Sequence, residues 1–351
     1  MEVPVLTNGE LVTIAALGVV ASVIALCIYD DRLPQGAAIE IGSRAVTIIE
    51  ENAVGLTPTT WEPARKAVME HIGKVRSRKE LYAQLRIALQ TLDDNQHSFA
   101  LTQRDWRSYV QAAEGKTDES LSKSGALAEV QPLDEVSGII EIRVPPFMAV
   151  APDMQWLYAE RLASAVTATV ELPTSPSRLC GVIVDLRETG GGNSIPASWV
   201  LGRALLGHSN VRYRDRSGLE VLLDQDAVRR GLNVRDLSTS LDQVHKRLQG
   251  LPLAVLVGPH TVSASEAIAA MLWSSPAAVL VGQRTAGMTT ANNIFELPDG
   301  GVLALAVYRL VDPQGKAVKG PLVPDVLVDD LKDARSAATA HIRSRGVCRA
   351  S

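Results

Sequence analysis

Short apolar segments alternate with amphipathic segments through the second half of the chain. Residues 139–144, 181–186 and 303–310 are apolar runs of strand length. Residues 154–172 and 195–206 carry apolar positions at helical spacing instead. This order predicts a mixed core of the α/β or α+β class.

The first half has a different pattern. Residues 37–92 show helical periodicity in pieces, most clearly at 61–75 and 77–92, and a polar stretch at 93–98 ends them. The chain is therefore predicted to have three parts. These are an N-terminal anchor or signal with its linker at 1–36, a helical region at 37–125, and a core at 126–351.

Residues 11–29 form a run of 19 residues without a charge. That length matches a membrane-spanning helix, is long for the core of a signal peptide, and has no basic residue before it. We expect a retained single-span membrane anchor, with a cleaved signal or a buried helix as the alternatives. The flanking charges specify the orientation poorly and weakly favour a cytoplasmic body.

Composition and charge exclude some classes of function. The formal net charge is −4 with both signs interspersed, and no basic patch indicates binding of nucleic acid. Cys27, Cys180 and Cys348 lack the spacing of a metal site, so neither a metal nor another cofactor is expected. We also expect no disulfide framework.

A serine lies where an apolar strand-like run gives way to a helix-like run. Ser263 stands in T-V-S-A-S-E, between residues 253–258 and 267–273. A hydroxyl at the start of a helix meets free backbone N–H groups and the positive end of the helix dipole. That environment suits a nucleophile whose reaction develops negative charge, although most serines at helix starts only cap the helix.

A glycine-rich turn follows another predicted strand. Residues 182–186 lead into Arg187 and then into Gly190-Gly191-Gly192, where backbone N–H groups can form an anion-binding nest. Neither G-x-x-x-x-G-K-[ST] nor G-x-G-x-x-G occurs, which argues against nucleotide binding. Asp185 and Arg187 are expected to hold the turn. Ser194, just beyond it, is a second serine candidate, but it lacks the closing glycine of a G-x-S-x-G elbow.

A histidine follows the carboxylate-rich turn after the helical region. His97 is a candidate general base, and Asp94 is a candidate for the acid that orients it. His260 is the local rival because it lies three residues before Ser263.

Five motifs occur in a fixed order: D-L-R-x-x-G-G-G, T-x-S-A-S-E, V-G-x-x-T-x-G, L-P-D-G and P-D-V. Together they resemble the S41 family of serine peptidases, over roughly residues 81–328. The resemblance implies a crotonase-like core with a helical N-terminal part, and Ser263 as the nucleophile. It further implies an oxyanion hole made by the N–H groups of Gly191 and Ala264, and a body outside the cytoplasm, periplasmic or extracellular.

The departures from the family pattern select a branch. The C-terminal-processing branch uses a lysine after the glycine of T-x-G, where this chain has Met288. His97-Ser98 instead resembles the tricorn-like branch, but the region that supplies an orienting glutamate there, residues 316–320, has no carboxylate. The 39 residues between Phe99 and Ile139 are too few for a PDZ domain.

These observations predict a peptidase that acts on peptides or proteins through Ser263 and His97. The alternative is a diverged S41 fold that binds a peptide or lipid without cleaving it. Without a PDZ domain, substrate selection is expected to lie in the core cleft, with residues 212–249 as a polar insert that contributes to it.

Overall fold

A computed structural model of the chain describes residues 31–122, 129–133, 138–148, 152–171, 179–222 and 235–348. The α-helices are α1 Ala37–Asn52, α2 Pro58–Ile72, α3 Arg78–Leu89, α4 Gln103–Ser122, α5 Pro152–Glu171, α6 Ile195–Leu201, α7 Arg235–Leu248, α8 Ala264–Trp273 and α9 Ala334–Ser344. The strands are β1 Phe99–Leu101, β2 Glu129–Pro132, β3 Ile139–Arg143, β4 Gly181–Asp185, β5 Arg212–Asp215, β6 Glu220–Leu222, β7 Leu253–Val257, β8 Ala278–Gly282, β9 Thr290–Glu296, β10 Val302–Leu310 and β11 Val326–Leu327.

A six-stranded sheet in the order β11-β8-β7-β4-β3-β2 carries the core. Its strands are parallel except for β2, which pairs antiparallel with β3. Helices α5, α6, α7 and α8 pack on one face and α9 on the other. Because both faces are covered, every residue of β4 and β7 is buried, which explains why those strands are apolar except for Asp185 at the end of β4.

A second, antiparallel sheet joins the N-terminal helices to the core. Its central strand β10 pairs with β1 and β5 along one edge and with β9 along the other. Side chains of β10 alternate between the two faces, and Leu303, Leu305 and Val307 pack against α1, α2 and α3. The predicted helical region thus contributes β1 to this sheet, directly after His97.

The loops that follow β4 and β7 lie side by side. The two strands are parallel neighbours, with Val184 opposite Val255 and Asp185 opposite Leu256. Their carboxyl ends therefore meet at one edge of the sheet, which brings the glycine-rich turn at 190–192 next to Ser263.

The expectation of no disulfide framework did not include the disulfide that the structure contains. Cys180 at the start of β4 and Cys348 after α9 are bonded, with Cα atoms 5.0 Å apart. The bond became possible because α9 packs on the sheet through Ala334, Ala338 and Ile342, which places its end beside the start of β4. Cys27 lies outside the described residues.

The predicted membrane anchor at 11–29 also lies outside the described residues. Among the helices that the structure does describe, none is long and apolar enough to cross a bilayer. The described part of the polar insert at 212–249 contains β5, β6 and the amphipathic helix α7. Helix α7 buries Leu241, Val244 and Leu248 against the core.

Candidate active site

Ser263 occupies a strained position between β7 and α8. It is the residue before the first turn of α8, and its backbone has φ 52° and ψ −103°. Residues other than glycine rarely adopt such a conformation, which costs about 1–3 kcal/mol and persists only where neighbouring groups enforce it. Strain of this kind clusters at functional sites, and here it projects a serine side chain at the opening of a helix.

The carboxylate of Glu266 enforces this conformation. The Ser263 N–H donates to Glu266 Oε2 over 2.8 Å, and the Gly287 N–H donates to Oε1 over 2.8 Å. The Thr285 hydroxyl also donates to Oε1. Glu266 is fully buried, so burial raises the pKa of its carboxyl, while these hydrogen bonds act in the opposite direction. One side chain thus fixes the serine turn and ties it to the T-x-G turn.

His97 reaches Ser263 through a turn between α3 and β1. The two residues before it, Asn95 and Gln96, both have left-handed backbones, with φ of 56° and 59°. The Asn95 amide donates to the Ala286 carbonyl over 3.1 Å, and the Asn292 amide donates to the His97 carbonyl over 2.8 Å. The turn is therefore anchored to the T-x-G loop and to β9.

The His97 ring has a partner at each nitrogen. Its Nε2 lies 3.1 Å from Ser263 Oγ, and its Nδ1 lies 2.6 Å from Thr290 Oγ1. If the serine donates to Nε2, the ring proton is on Nδ1 and is donated to Thr290. Burial lowers the pKa of His97, and the charge of Asp94 partly offsets that effect. The imidazole is therefore neutral, and able to accept a proton, at neutral pH.

Asp94 stabilises the turn that carries His97, whereas Thr290 contacts the His97 ring. One Asp94 oxygen, Oδ2, accepts from the Ser98 N–H over 3.0 Å and from the Ser98 hydroxyl. The other oxygen is buried and has no hydrogen-bond partner among the described residues. The orienting contact that the sequence assigned to Asp94 belongs in the structure to Thr290, which no motif indicated.

The glycine-rich turn borders Ser263 closely. A Cβ added to Gly191 would lie 3.6 Å from Ser263 Cβ. The Ser265 hydroxyl lies 2.8 Å from the Gly190 carbonyl oxygen and fastens the turn to α8. Gly192 has φ 130°, and a Cβ there would lie 2.2 Å from the Phe147 carbonyl oxygen, so only glycine fits.

Ala264 directly follows Ser263 in the chain and is the first residue of α8. Its N–H has no acceptor within the helix, as is general for the first turn. Gly191 and Ala264, the residues that the resemblance assigned to an oxyanion hole, are thus both neighbours of Ser263.

Ser263 and His97 open into a cleft of about 460 Å³. Ala264, Thr290 and the segment 192–195 also line it. Residues from β1, α4 and β9 complete the lining. The cleft gives a peptide access to the serine hydroxyl.

The rival residues lie elsewhere or lack partners for catalysis. His260 is exposed, and its Nδ1 lies 3.2 Å from Glu188 Oε2 at the surface. Ser194 lines the cleft and precedes α6, but its side chain makes no capping hydrogen bond; the Ile195 N–H donates to Asn193 instead.

Two further expectations concern structure and metals. Arg187 donates from Nε and Nη2 to the two oxygens of Asp185, over 2.9 and 2.7 Å, and from Nη1 to the Leu331 carbonyl over 2.7 Å. The pair therefore holds the turn after β4, as the sequence indicated. Within the described ranges no group of histidine, cysteine and acidic residues is arranged to hold a metal.

Comparison with known proteins places these features in a family. The model of peptidase family S41 matches residues 141–328, more than half of the chain. A carboxyl-terminal-processing protease of Picosynechococcus is 34% identical over 117 residues, 32% of this chain and 28% of its own length. The nisin-resistance protein of Lactococcus lactis is 27% identical over 232 residues, 65% of this chain and 68% of its own.

Solved structures support the fold. A lipoprotein from Streptococcus agalactiae superposes with a TM-score of 0.67 at 21% identity, covering 89% of this chain and 98% of that one. The match to the Picosynechococcus protease spans less than a third of that relative. The similarity therefore establishes a mixed α/β S41 fold.

Proposed function

The chain belongs to peptidase family S41, and from this we propose that it is a serine-type peptidase that cleaves peptide bonds through an acyl-enzyme. One observation carries the proposal: Ser263 Oγ lies 3.1 Å from His97 Nε2 at the wall of an open cleft. That distance is within the range for a nucleophile and its general base.

Acylation follows from this contact. Ser263 Oγ attacks the carbonyl carbon of the scissile bond while its proton passes to His97 Nε2. The tetrahedral intermediate collapses when the imidazolium returns that proton to the leaving amine. Water, deprotonated by the same nitrogen, then cleaves the ester. Thr290 acts as the positioning residue, because its hydroxyl holds the Nδ1–H tautomer that leaves Nε2 free to accept.

Negative charge on the carbonyl oxygen requires donors that are already in place. We assign this role to the N–H groups of Gly191, where an added Cβ would lie 3.6 Å from Ser263 Cβ, and of Ala264, the residue that follows Ser263. The positive end of the α8 dipole points at the same position. Removal of a single donor of this kind typically costs about 2.7–4 kcal/mol of transition-state stabilisation.

The substrate is a peptide or protein. A relative is named a carboxyl-terminal-processing protease, and a protease acts on a peptide chain. We further propose that the body of the protein lies outside the cytoplasm, tethered by residues 11–29. The Cys180–Cys348 bond supports this placement, because disulfides persist mainly in oxidising compartments.

The test uses a fluorophosphonate probe, which reacts with an activated serine and not with a merely exposed one. The wild-type protein should label and hydrolyse a denatured protein substrate, and Ser263→Ala should do neither while it keeps the wild-type Tm. Ser274→Ala, at the far and exposed end of α8, is the matched control and should behave as wild type. Ser194→Ala should still label; loss of labelling there would move the nucleophile to Ser194.

The same experiment separates the peptidase from a non-catalytic binding module. A module of that kind would bind peptides or lipids without reacting with the probe. The neutral, half-buried His97 in contact with Ser263 favours the peptidase. Absence of both labelling and cleavage in the wild-type protein would refute the peptidase assignment.

A further inference from the structure

An apolar row begins two residues after His97 and lines part of the cleft. Phe99 of β1, Ala304 of β10 and Ile294 of β9 are direct cross-strand partners, because Phe99 pairs with Ala304 and Ala304 pairs with Ile294. Side chains of directly paired residues project from the same face of a sheet. All three line the same cleft as Ser263.

The middle residue of this row is small, and its neighbours are large. Ala304 is buried at the floor, between the Phe99 ring and the Ile294 side chain. The neighbouring β10 residues Leu303 and Leu305 face the helical bundle instead, so Ala304 is the residue of β10 that lines the cleft. A depression between two large apolar walls fits an apolar side chain better than a polar one.

Helix α4 adds two aromatic rings above the depression. Trp106 and Tyr109 stack with centroids 5.6 Å apart, and Tyr109 contacts Phe99 at 6.2 Å. Tyr109 is 43% exposed and Ile294 is 49% exposed, although both belong to this apolar cluster. Burying such surface against a ligand is favourable, and exposed apolar clusters in a groove mark binding sites.

The position of the apolar cluster relative to His97 determines which part of a substrate the cluster contacts. β1 begins two residues after His97, and β9 carries Thr290, which holds the ring. The imidazole must protonate the leaving amine, so the leaving chain starts on the His97 side of the serine. We infer that Phe99, Ile294, Tyr109 and Trp106 form a subsite for a large apolar side chain on the leaving-group side of the scissile bond.

This inference rests on the proposed peptidase activity and narrows its substrates. They are peptides with an aromatic or large aliphatic residue shortly after the bond that is cut. A pocket that loses a large apolar contact typically loses about tenfold or more in kcat/KM. Because the subsite contacts the leaving group, it affects only the rate at which a peptide substrate acylates Ser263.

The experiment digests a mixed peptide library with the full chain and identifies every cut bond by mass spectrometry. The expected result is enrichment of Phe, Leu and similar residues within the three positions after the cut. Ile294→Asp and Tyr109→Ala should reduce that enrichment at least tenfold and leave the rate of fluorophosphonate labelling unchanged, since the probe carries no leaving peptide. Ile87→Asp is the matched control, because Ile87 is an isoleucine on α3 outside the cleft that is 57% exposed, against 49% for Ile294, and it should keep the wild-type profile.

The outcomes distinguish the two hypotheses. Wild-type enrichment in Ile294→Asp and Tyr109→Ala, with normal labelling, would overturn the subsite and leave the peptidase intact. Enrichment before the cut bond would overturn its placement on the leaving-group side. A wild-type protein that neither labels nor cuts would overturn the peptidase itself, and the subsite with it.

Discussion

Replacement of Thr290 by valine isolates the contact that orients the imidazole. Valine keeps the branched shape of threonine on strand β9 and replaces the hydroxyl with a methyl group. In the wild-type protein Thr290 Oγ1 lies 2.6 Å from His97 Nδ1. Thr290 is only 5% exposed, so bulk water does not replace this hydroxyl as the partner of Nδ1 in the variant. The Nδ1–H tautomer, which leaves Nε2 free for Ser263, would then have a buried donor without an acceptor.

The size of the effect follows from that unpaired donor. An unsatisfied buried donor costs about 1–3 kcal/mol, and each 1.36 kcal/mol is tenfold in rate, so kcat/KM should fall about five- to 150-fold. The pKa of His97, already lowered by burial, should fall further because the imidazolium loses its partner. The acid limb of the wild-type profile should therefore lie below pH 6.5, and that of Thr290→Val lower still.

The assay measures kcat/KM against pH for one peptide, together with the rate of probe labelling. Thr290→Ser retains the hydroxyl and should recover most of the activity. Thr289→Val is the control for a buried neighbouring hydroxyl, because Thr289 donates to the Gly320 carbonyl over 3.2 Å and is 3% exposed. Thr290→Val with unchanged kcat/KM and an unchanged acid limb would refute the orienting role.

The chain order of motifs indicated the serine and the histidine, yet nothing local indicated Thr290. Ser263 and His97 stand in short segments with their own turn chemistry, so each was visible in isolation. Thr290 reaches His97 only through the pairing of β9 with β10 and of β10 with β1. Such a contact depends on strand register across about 200 residues of chain, which a single sequence does not contain.

Glu266 illustrates a signal that was present and not used. The spacing S-x-x-E at 263–266 is that of a capping box, in which a glutamate accepts from the N-cap N–H. The structure contains that bond and adds the donors from Thr285 and Gly287. The local half of the interaction was therefore predictable, and the tertiary half was not.

The disulfide was missed for a similar reason. Cys180 and Cys348 are separated by 168 residues, and their approach depends on how α9 packs against the sheet. The spacing of the three cysteines does not indicate which of them form a disulfide. The apolar face of α9 brings the two cysteines together. Ile342 packs so closely against Gly181 that a Cβ on Gly181 would lie 2.3 Å from the Ile342 side chain.

Two further predictions concern the groups that hold the site and the fold. Cys348→Ser should lower the free energy of unfolding by about 2–5 kcal/mol in urea titrations, because the cross-link to Cys180 constrains the unfolded chain. Dithiothreitol should shift the wild-type protein to the same midpoint and leave the variant unchanged; an unaffected wild type would contradict the bond. Glu266→Gln keeps the shape of the side chain but replaces one carboxylate oxygen with an NH2 group. That donor must face a group that donates to the carboxylate in the wild type, either the Ser263 N–H or the Gly287 N–H and the Thr285 hydroxyl. If the NH2 group faces the Ser263 N–H, the strained turn loses this hydrogen bond at a cost of about 1–3 kcal/mol. Probe labelling should then fall much more than the Tm does. Equal losses in labelling and stability would show that Glu266 supports only the fold, whereas selective loss of labelling identifies the capping carboxylate as the group that keeps the nucleophile in its reactive conformation.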